Sequence, residues 1–321
     1  PDQDTAHPSG TGSRTASFSL DLLYGRVYGG FVGNETSLNQ RNWRKHKSIL
    51  SGDIGTVGNS ADNSYHVVTG ADAILDGFTI SGGRADVYHD PGVFNDRGGG
   101  YNGSGVLVNC VLTGNWAYHG AGACGHHPTF ITCFFSGNTA NFNGAAFGSY
   151  YGDATAINCV FLQEVYIHDG DATFTNCTFS GTQLLIEAEE GICYDFSYVD
   201  LYNCNLYRSS TSMVLDLSSI GDISPYHLYV TLNYCNTRNS TGNGISGDSD
   251  GTVTMGTGNI SANPLFVGGY RLGAGSPCLD AGDNDAVPAD TYDLDHDGNI
   301  TEKLPWDVDD HLRFFDDPAA N

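Results

Sequence analysis

Basic residues are scarce in this chain, and their scarcity limits the partners it can have. Of its 321 residues, 13 are Lys or Arg and 37 are Asp or Glu, which gives a formal net charge of −24 at pH 7. Binding to nucleic acid requires Lys and Arg to neutralise phosphates, so we expect no nucleic-acid partner. Six of the 13 basic residues lie in the first 47 positions, whereas positions 280–317 hold 13 acids.

Two further absences concern secondary structure. The chain contains no run of about 18 apolar residues, so we expect no membrane span within it. It has almost no stretch rich in Ala, Glu and Lys, it has only two Met, and it contains 43 Gly. This composition excludes a mainly helical protein and favours short strands separated by turns.

What the sequence does contain is a recurring Asn-Cys pair followed by two mostly apolar residues. Residues alternate before each pair, and Gly or a polar residue follows, so each copy predicts a short strand ended by a turn. The cysteines of successive copies are 23, 26, 18 and 27 residues apart, which is typical of coils with loops of different length. They are Cys110, Cys133 (after Thr132 in place of Asn), Cys159, Cys177 and Cys204.

We therefore predict an all-β fold, a right-handed parallel β-helix. It covers residues 1–272, with an N-terminal capping segment, and an acidic extension covers residues 273–321. A coil of about 20 to 30 residues cannot bury its apolar face alone, so neighbouring coils must stack. The handedness follows from the general rule for parallel crossovers. The rival is a β-propeller, whose blades of about 40 residues and Trp-Asp signatures are missing.

Two less regular copies bring the expected number of coils to at least seven. Residues 73–80 are the first copy, with Gly77 placed where later copies have Cys, and residues 233–235 are the last. Side chains in register on parallel strands point the same way, so the five repeated cysteines are expected to be reduced and packed. Outside this series a disulfide stays open for Cys124, Cys193, Cys235 and Cys278.

Several motifs beside the Asn-Cys copies resemble those of a known class. They are Tyr-Gly-Gly-Phe at 28–31, Glu-Thr-Ser-Leu at 35–38, Leu-Ser-Gly-Asp-Ile at 50–54, Leu-Asp-Gly-Phe-Thr-Ile at 75–80, Asn-Pro-Leu-Phe at 263–266 and Gly-Ser-Pro-Cys-Leu-Asp-Ala-Gly at 275–282. Together they are similar to bacterial right-handed parallel β-helix proteins of the polymorphic outer membrane protein-like, choice-of-anchor class. The resemblance implies a β-helix that is secreted or held at the cell surface, and it specifies no activity.

The sharpest local signal is an acidic loop at 293–302. Carboxylates alternate along it and Gly298 permits a tight turn, which is how oxygen ligands wrap around Ca²⁺. An EF-hand would have a bidentate carboxylate at Leu304, so that ligand is expected from a nearby acid. We predict a structural Ca²⁺ site, with a solvated acidic loop as the alternative. The candidate ligands are Asp293, Asp295, Asp297, Asn299, Glu302, Asp307 and Asp309.

A second group of polar residues lies in the predicted loops of neighbouring coils. If they converge on one flank, they form a groove for a transition metal or a substrate, although loop histidines are usually just exposed. The candidate groove residues are Arg84, His89, Asp90, Arg97, His119, His126 and His127.

The functional expectation is an extracellular or cell-surface structural or adhesive β-helix without catalytic residues, since no complete active-site constellation is present. The basic N-terminal and acidic C-terminal ends predict head-to-tail contact between copies, which grows into a filament. One alternative is a polysaccharide lyase or hydrolase acting on acidic glycans. The other is a carbohydrate-binding module, because the chain has 18 Tyr and 16 Phe that can stack on sugar rings.

Overall fold

The computed structural model describes residues 11–20, 25–88, 95–189, 196–220, 227–247, 251–309 and 311–312. Within these ranges the strands recur in a fixed order, one for each of three parallel sheets, named here A, B and C. The chain is thus a right-handed parallel β-helix, as predicted. In the described part of the chain, no helix is long and apolar enough to cross a membrane.

Each complete coil contributes one strand to sheet A, then one to B, then one to C, and coils two to four add a strand to a small sheet D. The first four coils contain β1 (Phe18–Ser19), β2 (Arg26–Tyr28), β3 (Ser48–Ser51); β4 (Val68–Gly70), β5 (Ile74–Asp76), β6 (Phe78–Ser81), β7 (Arg84–Ala85); β8 (Tyr101–Gly103), β9 (Val106–Val108), β10 (Val111–Thr113), β11 (Trp116–Ala117); and β12 (Ala123–Gly125), β13 (Thr129–Ile131), β14 (Phe134–Ser136), β15 (Thr139–Ala140).

Coils five to eight have three strands each, and a ninth has one strand in sheet A and one in sheet B within the described residues. They contain β16 (Phe147–Tyr150), β17 (Ala154–Ile157), β18 (Val160–Phe161); β19 (Val165–His168), β20 (Ala172–Thr175), β21 (Thr178–Ser180); β22 (Leu184–Glu189), β23 (Phe196–Tyr202), β24 (Asn205–Tyr207); β25 (Leu215–Ile220), β26 (His227–Asn233), β27 (Asn236–Arg238); and β28 (Ile245–Ser246), β29 (Gly251–Met255). Beyond them, β30 (Phe266–Val267) and β31 (Arg271–Leu272) form an antiparallel pair. Short 3-10 helices lie at Leu38–Gln40, Ser60–Asp62 and Asn284–Ala286.

One continuous apolar core fills the inside of the coils. Strand residues alternate between inside and outside, and the register places like residues above each other from coil to coil. In sheet C the rings of Phe135, Phe161 and Phe179 stack with centroids 5.0 Å apart, and all three side chains are buried. Burial of this row is what makes the coils depend on their neighbours.

The repeated cysteines form a ladder at the turn between sheets B and C, as expected. Each thiol donates to a backbone carbonyl of the preceding coil at 3.3 to 3.5 Å, for example Cys133 to Leu107 and Cys177 to Ala156. Cys235 is a sixth buried member of this ladder. It and Cys124 and Cys278 are free thiols, so the disulfide left open for them is absent, while Cys193 lies outside the described residues.

The register corrects the expected alignment of the first copy. Asp76 pairs with Val108, and Thr79 pairs with Val111, so Gly77 occupies the Asn position and Phe78 the Cys position. The reason is conformational, because this position has positive φ in every copy. Glycine adopts that region even more readily than Asn does, so Gly77 fills the Asn position of the turn and not the expected Cys position.

Candidate metal centre

The acidic loop is positioned by the C-terminal extension, which runs back along the flank of the solenoid. In the seventh coil, Asn203 donates from Nδ2 to the Asp283 carbonyl at 2.8 Å and accepts from the Asp283 N–H at 2.7 Å. In the first coil, Arg26 donates to the carbonyl of Tyr292 at 3.2 Å. The extension therefore lies along the B–C turns from the seventh coil to the first.

The end of the extension returns towards the middle of the stack. Asn158 in the fifth coil donates to the Trp306 carbonyl at 2.9 Å. The carboxylate of Asp309 accepts two hydrogen bonds from the Arg271 guanidinium, at 2.6 and 2.7 Å. Asp307 accepts from the N–H groups of Asp309 and His311 at 2.8 Å each. Asp307 and Asp309 thus stabilise this part of the extension, and neither belongs to the carboxylate groups of the acidic loop among the described residues.

Two groups of carboxylates converge in the loop and share Asp295. The first consists of Asp293, Asp295 and Asp297, and the second of Asp290, Asp295 and Glu302. In each group, one oxygen from every carboxylate lies within 4.8 Å of the others. Four of the seven predicted ligands, Asp293, Asp295, Asp297 and Glu302, are therefore brought together. The fifth loop residue, Asn299, instead accepts hydrogen bonds from the N–H and hydroxyl of Thr301 at 3.2 and 2.8 Å.

The backbone of the loop wraps around these side chains. Asp293 accepts a hydrogen bond from the Gly298 N–H at 3.0 Å, and Gly298 has φ of +87°, a conformation that favours glycine. Leu304 is buried, 1% exposed, so the position that would carry a bidentate ligand in an EF-hand serves the core of the extension. Glu302, two residues earlier, supplies the carboxylate instead.

Asp290 was not predicted, and it is the most enclosed member of the centre, with 0% exposure. One of its oxygens accepts from the Leu294 N–H at 2.8 Å. The other oxygen, and both oxygens of Glu302, are enclosed and have no hydrogen-bond partner among the described residues. Buried carboxylate oxygens without a partner are costly, because they have lost water and gained nothing in return.

Burial and crowding of like charges alter the acidity of these groups. Burial, followed by the charges of Asp295, Glu302 and Asp293, raises the pKa of Asp290 to about 6. Burial and neighbouring carboxylates also raise the pKa of Glu302 above its ordinary value. Repulsion of this kind is relieved by a cation, and a set of carboxylate oxygens is the donor set that Ca²⁺ prefers. The residues present therefore fit a calcium ion.

Sequence reasoning missed Asp290 because it lies outside the alternating motif. A bridge between Ala289 and Lys303 and a hydrogen bond from the Asp290 N–H to the Glu302 carbonyl, 2.7 Å long, bring it opposite Glu302. The only signal in the sequence is one more acid three residues before the motif, which does not reveal that pairing.

The arginines of the predicted groove lie on the other side of the solenoid and are already paired. Arg84 donates to Asp86 at 2.9 Å and lies 5.1 Å from the ring centroid of Trp116. Arg97 lies 3.8 Å from a carboxylate oxygen of Asp96 and 4.3 Å from the ring centroid of Tyr150. His89 and Asp90 lie outside the described residues.

Of the predicted groove residues, Arg97 and His119 lie side by side through a bridge between neighbouring coils, and both contact Tyr150. His119 stacks on Phe142 with ring centroids 5.1 Å apart, and its Nδ1 lies 2.9 Å from the Tyr150 hydroxyl. His126 and His127 are exposed, and His127 accepts a hydrogen bond from the Asp153 N–H at 3.2 Å. No metal-binding group of three donors includes these histidines in the described part of the chain.

An aromatic cluster beside His119 is the most conspicuous apolar feature of this surface. Tyr88 and Tyr118 have ring centroids 4.8 Å apart, Tyr118 and Phe142 stack at 5.8 Å, and Trp116 meets Tyr118 at 5.1 Å. Tyr88 is 48% exposed and Phe142 is 52% exposed. The cluster therefore presents aromatic faces to solvent.

Comparisons of the chain with protein-family models, with curated proteins and with solved structures found no significant match. Of what the sequence motifs imply, the structure shows the parallel β-helix architecture.

Proposed function

We propose that this chain is an extracellular or cell-surface structural β-helix whose C-terminal extension is fastened along the solenoid by calcium. The observation that carries the proposal is the pair of acids Asp290 and Glu302, whose enclosed oxygens face each other without partners among the described residues. A cation at this point neutralises the loop and holds its two arms together.

The position of the loop explains why such a cation has a structural role. His296, within the loop, lies against Tyr28 of β2 with ring centroids 6.1 Å apart, and Tyr292 binds Arg26. Ordering the loop therefore also orders the contact of the extension with the first coil. Because the loop lacks a complete EF-hand ligand set, we expect a Kd of roughly 10⁻⁴ to 10⁻³ M, the range of extracellular calcium-binding modules.

Calorimetry with calcium and with EGTA tests the proposal. At roughly a hundredfold excess of calcium over Kd, binding is expected to stabilise the native chain by about 2.7 kcal/mol and to raise its unfolding temperature. Asp295→Asn removes the carboxylate that both groups share, and it is expected to abolish the calcium-dependent rise in unfolding temperature.

The matched control is Asp153→Asn, because Asp153 is an exposed acid, with 72% side-chain exposure, outside the extension. It is expected to keep the full response to calcium. An unchanged unfolding temperature in calcium, or an equal response from Asp295→Asn and the wild-type chain, contradicts the calcium proposal.

The proposed partner is a further copy of the chain, bound end to end. Among the described residues, β1 and β2 at one end and β28 and β29 at the other each pair on one side only. Such strand edges can pair with another chain. Arg26 and Arg44 contact the extension of their own chain, so edge pairing rather than charge is the proposed basis of a filament. Light scattering in calcium tests this: monomers at both low and high salt exclude it.

The aromatic cluster supports a second candidate function, non-catalytic carbohydrate binding. Exposed rings of Tyr88 and Phe142 offer faces on which sugars stack. The net charge of −24 disfavours acidic glycans, and the pairing of Arg84 with Asp86 weakens the lyase alternative.

A neutral-glycan array is expected to show binding that Phe142→Ala reduces. Tyr198→Ala, at an exposed aromatic stacked on Tyr229 elsewhere, is the control. Equal binding by Phe142→Ala and Tyr198→Ala excludes the aromatic cluster as the glycan-binding site.

A further inference from the structure

A second cluster of ionisable groups lies on the outer face of sheet A, where strands β19 and β22 end. His168 is the last residue of β19, Asp169 follows it, and Glu189 is the last residue of β22. Asp169 has φ of +48°, a backbone conformation that Asp tolerates better than most residues. Its Oδ1 accepts a hydrogen bond from the Glu189 N–H at 3.0 Å, which fixes the carboxylate.

The three side chains direct one donor atom each to a common point. The Nε2 atom of His168 lies 3.6 Å from Oδ2 of Asp169 and 3.7 Å from Oε2 of Glu189. All three donor atoms lie within 4.8 Å of one another. These separations exceed a hydrogen bond, and they are near the distance between two ligands of one metal ion with bonds of about 2.0 to 2.2 Å.

The histidine at the centre of this cluster is buried and lacks partners. Its exposure is 6%, and neither ring nitrogen has a hydrogen-bond partner among the described residues. Oδ2 of Asp169, the oxygen that faces the histidine, also has none in the same part of the chain. Because burying unpaired polar atoms is costly, this arrangement calls for a further partner.

Three tyrosines hold the imidazole in place. Tyr166 stacks on His168 with centroids 5.7 Å apart and an interplanar angle of 12°. Tyr150 and Tyr151 contact the same ring at 5.7 and 5.2 Å. The Tyr166 hydroxyl donates to Glu187, which fixes the stacking ring in turn. Packing of this kind gives a ligand a single orientation before the metal arrives.

We propose that His168, Asp169 and Glu189 form a binding site for a divalent transition metal of the Zn²⁺ class. One imidazole nitrogen and two carboxylate oxygens are borderline and hard donors that suit zinc better than calcium. Three protein ligands leave a coordination position open, and the Glu189 side chain, 39% exposed, gives the site access to solvent. The site is separate from the acidic loop of the extension.

The charge of the cluster supports the same conclusion. With a neutral imidazole, the two carboxylates place two negative charges at one mostly buried point. Burial raises the pKa of Asp169, which is the behaviour of a carboxylate whose charge is not fully balanced. A divalent cation balances both charges.

Equilibrium dialysis against Zn²⁺ in calcium-containing buffer, followed by metal analysis, tests the proposal. The full chain is expected to bind one equivalent of Zn²⁺ that His168→Ala loses. Glu189→Gln, at a partly exposed residue, is expected to weaken binding by at least as much as the roughly 10- to 100-fold loss caused by removing an outer partner. Cobalt(II) absorption in the visible region reports the coordination of the same site. Circular dichroism verifies that each variant is folded.

Two controls separate this site from its surroundings. His127→Ala removes an exposed histidine 3.9 Å from a carboxylate oxygen of Asp153 and is expected to retain the equivalent. Asp295→Asn, in the acidic loop, is expected to retain it too, so a failure of the calcium proposal leaves this one unaffected. If the wild-type chain binds no zinc, or if His168→Ala and Glu189→Gln bind it unchanged, the cluster is an ion pair only and the proposal is overturned.

Discussion

At the scale of single residues, the position before each ladder cysteine determines how a coil turns from sheet B to sheet C. Asn109, Thr132, Asn158, Asn176, Asn203 and Tyr234 all have φ between +51° and +57° there. Asn is favoured at such positions since its short polar side chain bonds locally. The amides also join coils: Asn176 donates to Asn158 at 3.1 Å, and Asn203 donates to Asn176 at 3.0 Å.

Substitution at Asn176 separates these two contributions. Asn176→Ala loses two amide hydrogen bonds and places Ala at positive φ, so we expect a cost of about 2 to 3 kcal/mol. Asn176→Gly loses only the hydrogen bonds and is expected to be less destabilising by about 1 kcal/mol. Urea unfolding measures both. Asn141→Ala, at an exposed Asn, is the control and should change stability by less than about 0.5 kcal/mol. If Asn176→Ala and Asn176→Gly lower the free energy of unfolding equally, the positive φ at this position does not contribute to stability.

A second residue-scale prediction concerns pH. Burial lowers the pKa of His66, whose Nδ1 lies 3.1 Å from the Gly98 carbonyl oxygen. The unfolded chain then binds a proton more readily than the folded chain. The stability that depends on uncharged His66 is fully present above the pKa of His66 in the unfolded chain, about 6.5. It is lost as the pH falls towards the lower pKa of His66 in the folded chain. His66→Gln should therefore flatten the fall in unfolding temperature between about pH 7 and pH 5. The exposed His127→Gln should leave that slope unchanged, and a slope unaffected by His66→Gln contradicts the assignment.

At the scale of the coil, the sequence was sufficient to predict the architecture, because the Asn-Cys pair combines a turn conformation with a buried side chain. The same logic explains the misaligned first copy, since Gly77 satisfies the turn while Phe78 fills the space of a thiol. The metal centre was less predictable. Asp290 and Glu302 meet only because the bridge of Ala289 with Lys303 aligns two arms of the extension, and no local pattern encodes that pairing.

The ladder also gives a prediction about thiol chemistry. Burial keeps reagents away from every ladder thiol, and it also raises the pKa of the Cys110, Cys159 and Cys204 thiols well above the ordinary value. Cys278 is only partly buried. In the native chain, alkylation followed by peptide mass mapping is expected to modify Cys278 well before any ladder cysteine. In denaturant the difference should disappear. A ladder cysteine recovered as a disulfide, or alkylated as fast as Cys278, would refute the packing role.

At the scale of the whole molecule, the charge asymmetry of the chain is used within one copy. The basic first coil and the acidic extension meet through Arg26 with Tyr292 and through Arg44 with Val308 and Asp309. The extension thus ties the first coil to the seventh, about 29 Å away if each of six steps is about 4.8 Å. Calcium binding in the loop is therefore expected to stabilise the contacts that the extension makes along most of the solenoid.

Hydrogen exchange tests that long-range effect. Asn203 holds the Asp283 amide at 2.7 Å, far along the flank from the loop. Removing calcium with EGTA should speed exchange at Gly298 in the loop and also at Asp283, whereas amides of β22 in sheet A should not respond. Asn203→Ala loses both hydrogen bonds to Asp283, worth about 1 kcal/mol each, and should speed exchange at Asp283 by about tenfold to thirtyfold, even with calcium present. If EGTA affects residues 290–302 alone, calcium orders its own loop and does not fasten the extension.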